Sequence, residues 1–298
     1  MKTIMKSLII EMCSKVYFRM YLAGWLVCFL LISCEEIDEL NNEIIKVTKN
    51  ELKLDFELSS TTRVITGNDY KTTFDNGDAI GVFIVKRSMS TLPVLSPSEN
   101  FAHNIKLVYN KSLDRWVFAG EPIVVSESQP NMVLDFYAYY PYVDAANPTA
   151  LICPVITDQS NSTNFNGATV LVSKKEGVPI DTEKVTLSLS HLMSLVQVQV
   201  TDTDSGVKTK MNLCAKVGAT YNLLNPTDIV TTGPVSDIIM KRVESDNNTT
   251  SYTYWAIVPP QTIDKNEILF KSTLGWKYKA GEEVSLKPGS VEKYEIGK

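Results

Sequence analysis

The sequence predicts an all-β fold of two antiparallel β-sandwich domains. Three observations carry this. Short apolar runs alternate with polar residues at a period of two along most of the chain. Clusters of Gly, Pro, Asn, Asp and Ser separate them at close spacing. No long segment of 3.6-residue period competes, so the crossover helices that a parallel sheet needs are missing. The chain has 298 residues, 44% hydrophobic and 21% charged, which suits two globular domains and not a disordered chain.

The first 33 residues stand apart. Lys2, Lys6, Lys15 and Arg19 precede Tyr21–Ser33, an uncharged stretch of 13 residues. A bilayer span needs about 20 residues, so this is a secretory signal in form and not a membrane helix. The start methionine stays open among Met1, Met5, Met12 and Met20. Leu31-Ile32-Ser33-Cys34 resembles a bacterial lipobox: cleavage before Cys34 would leave its thiol to carry a diacylglycerol. The bland alternative is an ordinary signal with a chance cysteine. Each buried lipid methylene contributes about 0.8 kcal/mol, so two or three chains hold a protein on a membrane. Removing residues 1–33 takes away four basic residues and one acid, and the remainder carries a net charge of −8.

Residues 34–50 are polar and acidic and read as a tether. Leu52, Leu54, Phe56 and Leu58 then alternate with charged neighbours as a half-buried strand. Asn76-Gly77 is a turn signal, because both residues tolerate positive φ. Ile80, Val82 and Ile84 alternate after it, and strand-like runs continue to "VEKYEI" at residues 291–296. A charged stretch with Gly177 and Pro179, Lys174–Lys184, marks a domain boundary. The expected organisation is a signal at 1–33, a tether at 34–50, one sandwich at 51–180 and a second at 181–298.

Few residues point to chemistry. A net charge of −5 gives no nucleic-acid surface. His103 and His191 are the only histidines, no serine sits in a Gly-x-Ser-x-Gly elbow, and His191 lies within strand-like sequence; a structural role outweighs a catalytic one. "TDTDSG" from Thr201 to Gly206 has the look of a calcium loop, but position twelve is Leu213, so a solvated turn reads better. Acid pairs such as Glu282-Glu283 are too common to imply glycoside hydrolysis. No metal site, cofactor or phosphate-binding loop is expected. Cys153 and Cys214 could pair in an oxidising compartment or stay as buried thiols. Sequons at Asn161 and Asn247 read as polar loops. Aromatics in Phe136–Tyr142 and Ser251–Val258 fill a sandwich core or, on the alternative reading, stack on sugars.

Taken together, "LISC", "TTRV" (Thr61–Val64), "FDNGDAIGVF" (Phe74–Phe83), "FYAYYPY", "LSLSHLMSLVQVQV", "YWAIVPPQTI" (Tyr254–Ile263) and "LKPGSVEKYEI" resemble the fimbrillin family of Bacteroidales-type surface lipoproteins, the Mfa-like or type V pilins. The resemblance implies transthyretin-like sandwiches, a lipid on Cys34, display on the outer membrane and no catalysis. It also implies a role in adhesion or biofilm. A trypsin-like cut between Arg63 and Val64 would release the lipid with the strand Leu52–Leu58, and a neighbouring pilin subunit would insert a donor strand in its place. The bland reading of Arg63 is an ordinary surface arginine.

One feature departs from stalk pilins. "VEKYEIGK" ends almost as soon as its strand does, so that strand is itself the donor or the protein is a tip or accessory subunit. The alternative is a stand-alone lipid-anchored adhesin with a host or glycan receptor.

Overall fold

The computed structural model describes residues 51–59, 73–125, 131–201, 210–243 and 251–297. Cys34, Arg63, Val64, Asp202 and Asn247 lie outside these residues, and with them the signal, the tether and the "TDTDSG" turn.

Seven strands build the first sheet: β1 (Lys53–Leu58), β2 (Ala79–Ser88), β3 (Ala102–Asn110), β4 (Arg115–Phe118), β5 (Met132–Tyr140), β7 (Leu171–Pro179) and β8 (Lys184–His191). Their spatial order is β1-β8-β7-β5-β2-β3-β4. The two ends of this order approach each other, since Leu52 N–H donates to Ile123 O just beyond β4 at 2.9 Å. The curled sheet encloses Leu52, Leu54, Ile80, Val82, Leu107, Leu134, Phe136, Val185, Leu187 and Leu189, all buried.

The remaining strands are β6 (Leu151–Ile152), β9 (Ser194–Thr201), β10 (Met211–Asn222), β11 (Asn225–Ile239), β12 (Lys241–Val243), β13 (Ser251–Val258), β14 (Gln261–Ile263), β15 (Ile268–Ser272), β16 (Lys277–Lys279), β17 (Val284–Leu286) and β18 (Val291–Gly297). They form a sheet β11-β10-β15-β16, a sheet β12-β13-β9-β18 and a small pair β14-β17. Val196, Val198, Val200 and Tyr254 meet Leu213, Ile238 and Phe270 in a second core. A third cluster covers the other face of β2 and β5: Phe83, Tyr137 and Tyr139 pack with Leu192, Met193, Tyr221, Trp255 and Ile257. Central strands are therefore buried on both faces, and β5 has seven consecutive buried residues. The aromatic run Phe136–Tyr142 lies mainly in these cores, Phe136 on one side and Tyr137 and Tyr139 on the other. Burial pushes the Tyr139 phenol up to about 12.

Among the described residues the fold is all-β, as expected, except for one short helix, α1 (Ser162–Gly167). Asn161 caps it by accepting from Asn164 N–H at 2.9 Å, so this sequon is a helix start and not a plain loop. The sheets are mixed and not purely antiparallel. β1 lies parallel to β8 and β18 parallel to β9. Neither pair needs a crossover helix, because whole strands of intervening sheet carry the chain from one partner to the other. The expected boundary at residue 180 falls before β8, whose partners are β1 and β7.

Two local features show why particular residues are required. Gly77 has a φ of +96° in the expected turn, and Asp78 N–H closes it on Asp75 O at 3.0 Å. Gly81 faces Tyr139 across the β2–β5 ladder, and a Cβ there would stand 2.1 Å from the tyrosine ring. Beside them Asp135, wholly buried, accepts two bonds from Arg87 at 2.5 and 3.0 Å and one from Gly177 N–H at 2.7 Å. Such a bidentate pair compensates the carboxylate for its lost water.

Candidate functional site

The candidate site is the edge occupied by β1. Its sequence alternates, so Leu52, Leu54, Phe56 and Leu58 turn to one face. Leu52 is 1% exposed and Leu54 8%, while Phe56 and Leu58 are partly buried against the same core. Burying a leucine contributes about 1.5–3 kcal/mol. The outer face contributes less: Asp55 pairs with Lys184 at 3.1 Å, and both side chains are about half exposed. Six rungs of parallel pairing run from Lys53↔Lys184 to Leu58↔Leu189. Lys53 N–H bonds Glu183 O at 2.8 Å at one end, and Ser59 N–H bonds Leu189 O at 2.7 Å at the other.

Aromatic side chains close the seam between β1 and β4. Phe56 meets Trp116 edge-on at 5.4 Å, and Trp116 meets Phe74 edge-on at 5.0 Å. Phe74 also touches Tyr140 at 5.7 Å. The bed beneath β1 is thus Trp116 and Ile123 from one side and Val185, Leu187 and Leu189 from the other. The sequence named the strand and not its bed. The alternation in "KVTLSLS" marks β8 as a strand, but nothing local says that β8 pairs with residues 53–58.

The other candidate residues stay apart from this edge. His103 shares a hydrogen bond with Asn100 Nδ2 at 3.0 Å and stands edge-on to Phe83 at 4.9 Å. His191 ends β8, paired with Leu171, and burial lowers its pKa to about 4. Cys153 and Cys214 are both buried and free, with their thiols pushed up by burial to about 12 and about 11. Among the described residues no cluster of His, Cys, Asp and Glu could hold a metal ion. Also among them, no helix is long and apolar enough to cross a membrane.

At the opposite end of the described chain β18 forms a second parallel edge. Val291–Gly297 pairs with Leu195–Thr201 over seven rungs. Leu195 N–H bonds Ser290 O at 2.9 Å and Ser194 Oγ donates to Lys287 O at 2.7 Å. Tyr294 packs edge-on against Phe270 at 5.3 Å.

Residues 62–297 match the family model described as fimbrillin-like. This chain belongs to the fimbrillin-like family. The family motifs now have physical content. The glycine of "DAIGVF" makes room for a tyrosine of "FYAYYPY", and Gln261 of "VPPQTI" bridges β10, accepting from Lys216 N–H at 2.8 Å and donating to Lys216 O at 2.9 Å. Solved structures share the fold. One, a candidate cell adhesion protein of Bacteroides uniformis, has 20% identity and a TM-score of 0.58, over 84% of this chain and 93% of that one. Another candidate cell adhesion protein, from Bacteroides ovatus, has 15% identity and a TM-score of 0.56, over 83% and 91%. No curated protein matches this chain.

Proposed function

We propose that this fimbrillin-like protein is a structural and adhesive surface subunit, a tip or accessory component of a fimbria, assembled by proteolysis-triggered strand exchange. The observation that carries the reading is the placement of β1: an edge strand with its apolar side chains seated in the core and only five residues before Arg63. A cut between Arg63 and Val64 severs β1 from the body of the fold. β1 then stays only by its own rungs and the side chains of Leu52, Leu54, Phe56 and Leu58. Its departure opens apolar sockets and unpaired backbone on β8, which a strand from another pilin subunit satisfies.

Before the cut, lipid on Cys34 holds the chain on the outer membrane through the tether at 34–50. The body is two sandwich domains, one around each of the two enclosed cores. Accepting a strand leaves β18 undisturbed, whereas donating β18 would break seven rungs with β9. That asymmetry favours a tip or accessory role. No catalytic step is assigned.

Trypsin treatment of the full chain, followed by mass spectrometry, tests this. The expected product begins at Val64 and takes up an added strand peptide. A fold that stays intact with the Arg63–Val64 bond resistant removes the mechanism. The other reading, a stand-alone adhesin anchored at Cys34, requires no cut. It gains from the polar cavity on the β9–β18 face.

A further inference from the structure

The sheet β12-β13-β9-β18 has one face in the second core and one face turned away from it. On the outward face the strand register lines up two rows. Trp255, Gln197 and Lys293 form one; Thr253, Gln199 and Glu295 form the other. These six side chains line a cavity of about 270 Å³. Drug-sized ligands occupy about 300–1,000 Å³, so this space suits a single sugar-sized ring.

The lining is polar in an unusual way. Gln197 is only 8% exposed; its backbone is held in the ladders on both sides, while its side-chain amide makes no hydrogen bond among the described residues. Lining the cavity, that amide keeps both its donors and its acceptor for a group that enters. Gln199 spends one donor on Ser251 Oγ at 2.7 Å, and its carbonyl oxygen remains for another group. Lys293 and Glu295 are exposed and form no ion pair among the described residues. The lining therefore offers both donors and acceptors, with one charge of each sign and no net charge.

A ligand hydroxyl donates and accepts at once, as a glutamine amide does. A neutral polyol matches this set better than an ion does. An anion meets Glu295 and a cation meets Lys293. Trp255, almost fully buried, supplies the apolar wall against which the C–H side of a ring can lie. We propose that this cavity binds one neutral monosaccharide unit of a glycan, with Gln197 and Gln199 bonding its hydroxyls and Lys293 and Glu295 gating the two sides. The inference deepens the adhesive side of the function proposed above. It also ties binding to β18, which supplies one wall only while it stays paired with β9.

The test uses the full chain in detergent on an array of neutral, sialylated and sulfated glycans. The best neutral monosaccharide is then titrated while the glutamine side-chain amides are followed by NMR. The expected result is neutral-sugar binding that Gln197→Leu weakens by about tenfold, with the melting temperature unchanged or raised. Lys293→Ala, at an exposed position that cannot unsettle the core, should weaken binding as well. Binding to charged glycans alone, binding that both variants leave intact, or no binding at all overturns the proposal. The Arg63 cleavage assay on the same preparation reads the assembly mechanism separately. A chain that is cut and accepts a strand but binds no sugar loses the cavity and keeps the fimbrial reading.

Discussion

The two parallel edges of this molecule are similar in pairing and different in depth. β1 has six rungs on β8, and β18 has seven on β9. By backbone pairing alone β18 is the better held. Side chains reverse the order. Leu52, just ahead of β1, is buried and β1 carries Leu54 into the same core, whereas no residue of β18 is buried. Leu52 and Leu54 meet Val185, Leu187 and Leu189 inside the curled sheet, while Tyr294 and Ile296 lie on the rim of their core. Parallel rungs are slightly weaker than antiparallel ones, so apolar burial decides which edge stays. The lesson is that apolar depth, and not rung count, holds β1; on the proposed route it would leave only after a covalent cut, while β18 keeps seven rungs that this route does not sever.

The largest expected effect tests the depth of β1. Leu52→Ala should lower unfolding stability by about 2–5 kcal/mol in urea, because Leu52 is buried within the first core. If the loss is no larger than that of a surface substitution, the buried-edge argument fails. Ile296→Ala on β18 sharpens the contrast. It should cost about 1–2 kcal/mol, less than the β1 variant, since this side chain is only partly buried.

Acid should weaken the β8 end of the first sheet. His191 has its pKa lowered by burial to about 4, against about 6.5 when unfolded. Below pH about 6.5 the unfolded chain binds a proton that the folded one refuses, so stability falls with pH until about 4 and then levels off. His191→Phe should remove this part of the pH dependence in urea titrations between those limits. An unchanged pH profile would show that His191 is not its source. The smallest effect is at the outer face of β1. Lys184→Ala loses an ion pair with Asp55 that water already screens, and stability should move by about 0.5 kcal/mol or less. A larger change would mean that the outer face, and not the leucines, holds the strand.

Much of this was legible in the chain. Alternation at Leu52, Leu54, Phe56 and Leu58 is a local signal, and so is Asn76-Gly77. Pairing partners are not local. The direction of β1 on β8 depends on how more than a hundred intervening residues fold, and no pattern in residues 52–58 encodes it. The same reason hid the parallel seat of β18 and placed β8 with the N-terminal strands despite the charged stretch before it. α1 escaped because six residues, "STNFNG", are too few for a helical period; its only sequence signal was Asn161 as a cap. Gln197 looked like one polar member of an alternating strand. Its burial arises from Trp255 and Lys293 on the neighbouring strands, which only the register brings together.

Hydrogen exchange on the cleaved protein tests the central claim most directly. The full chain is cut with trypsin, freed of the lipid-bearing fragment, and followed by amide exchange at Lys184–His191. The account predicts that β8 amides, slow in the uncut chain, become fast once β1 is gone. They should become slow again when a peptide of sequence LKLDFEL is added, while β9 amides facing β18 stay unchanged throughout. Protection on β8 that survives removal of residues before Val64, or that the peptide cannot restore, would contradict it.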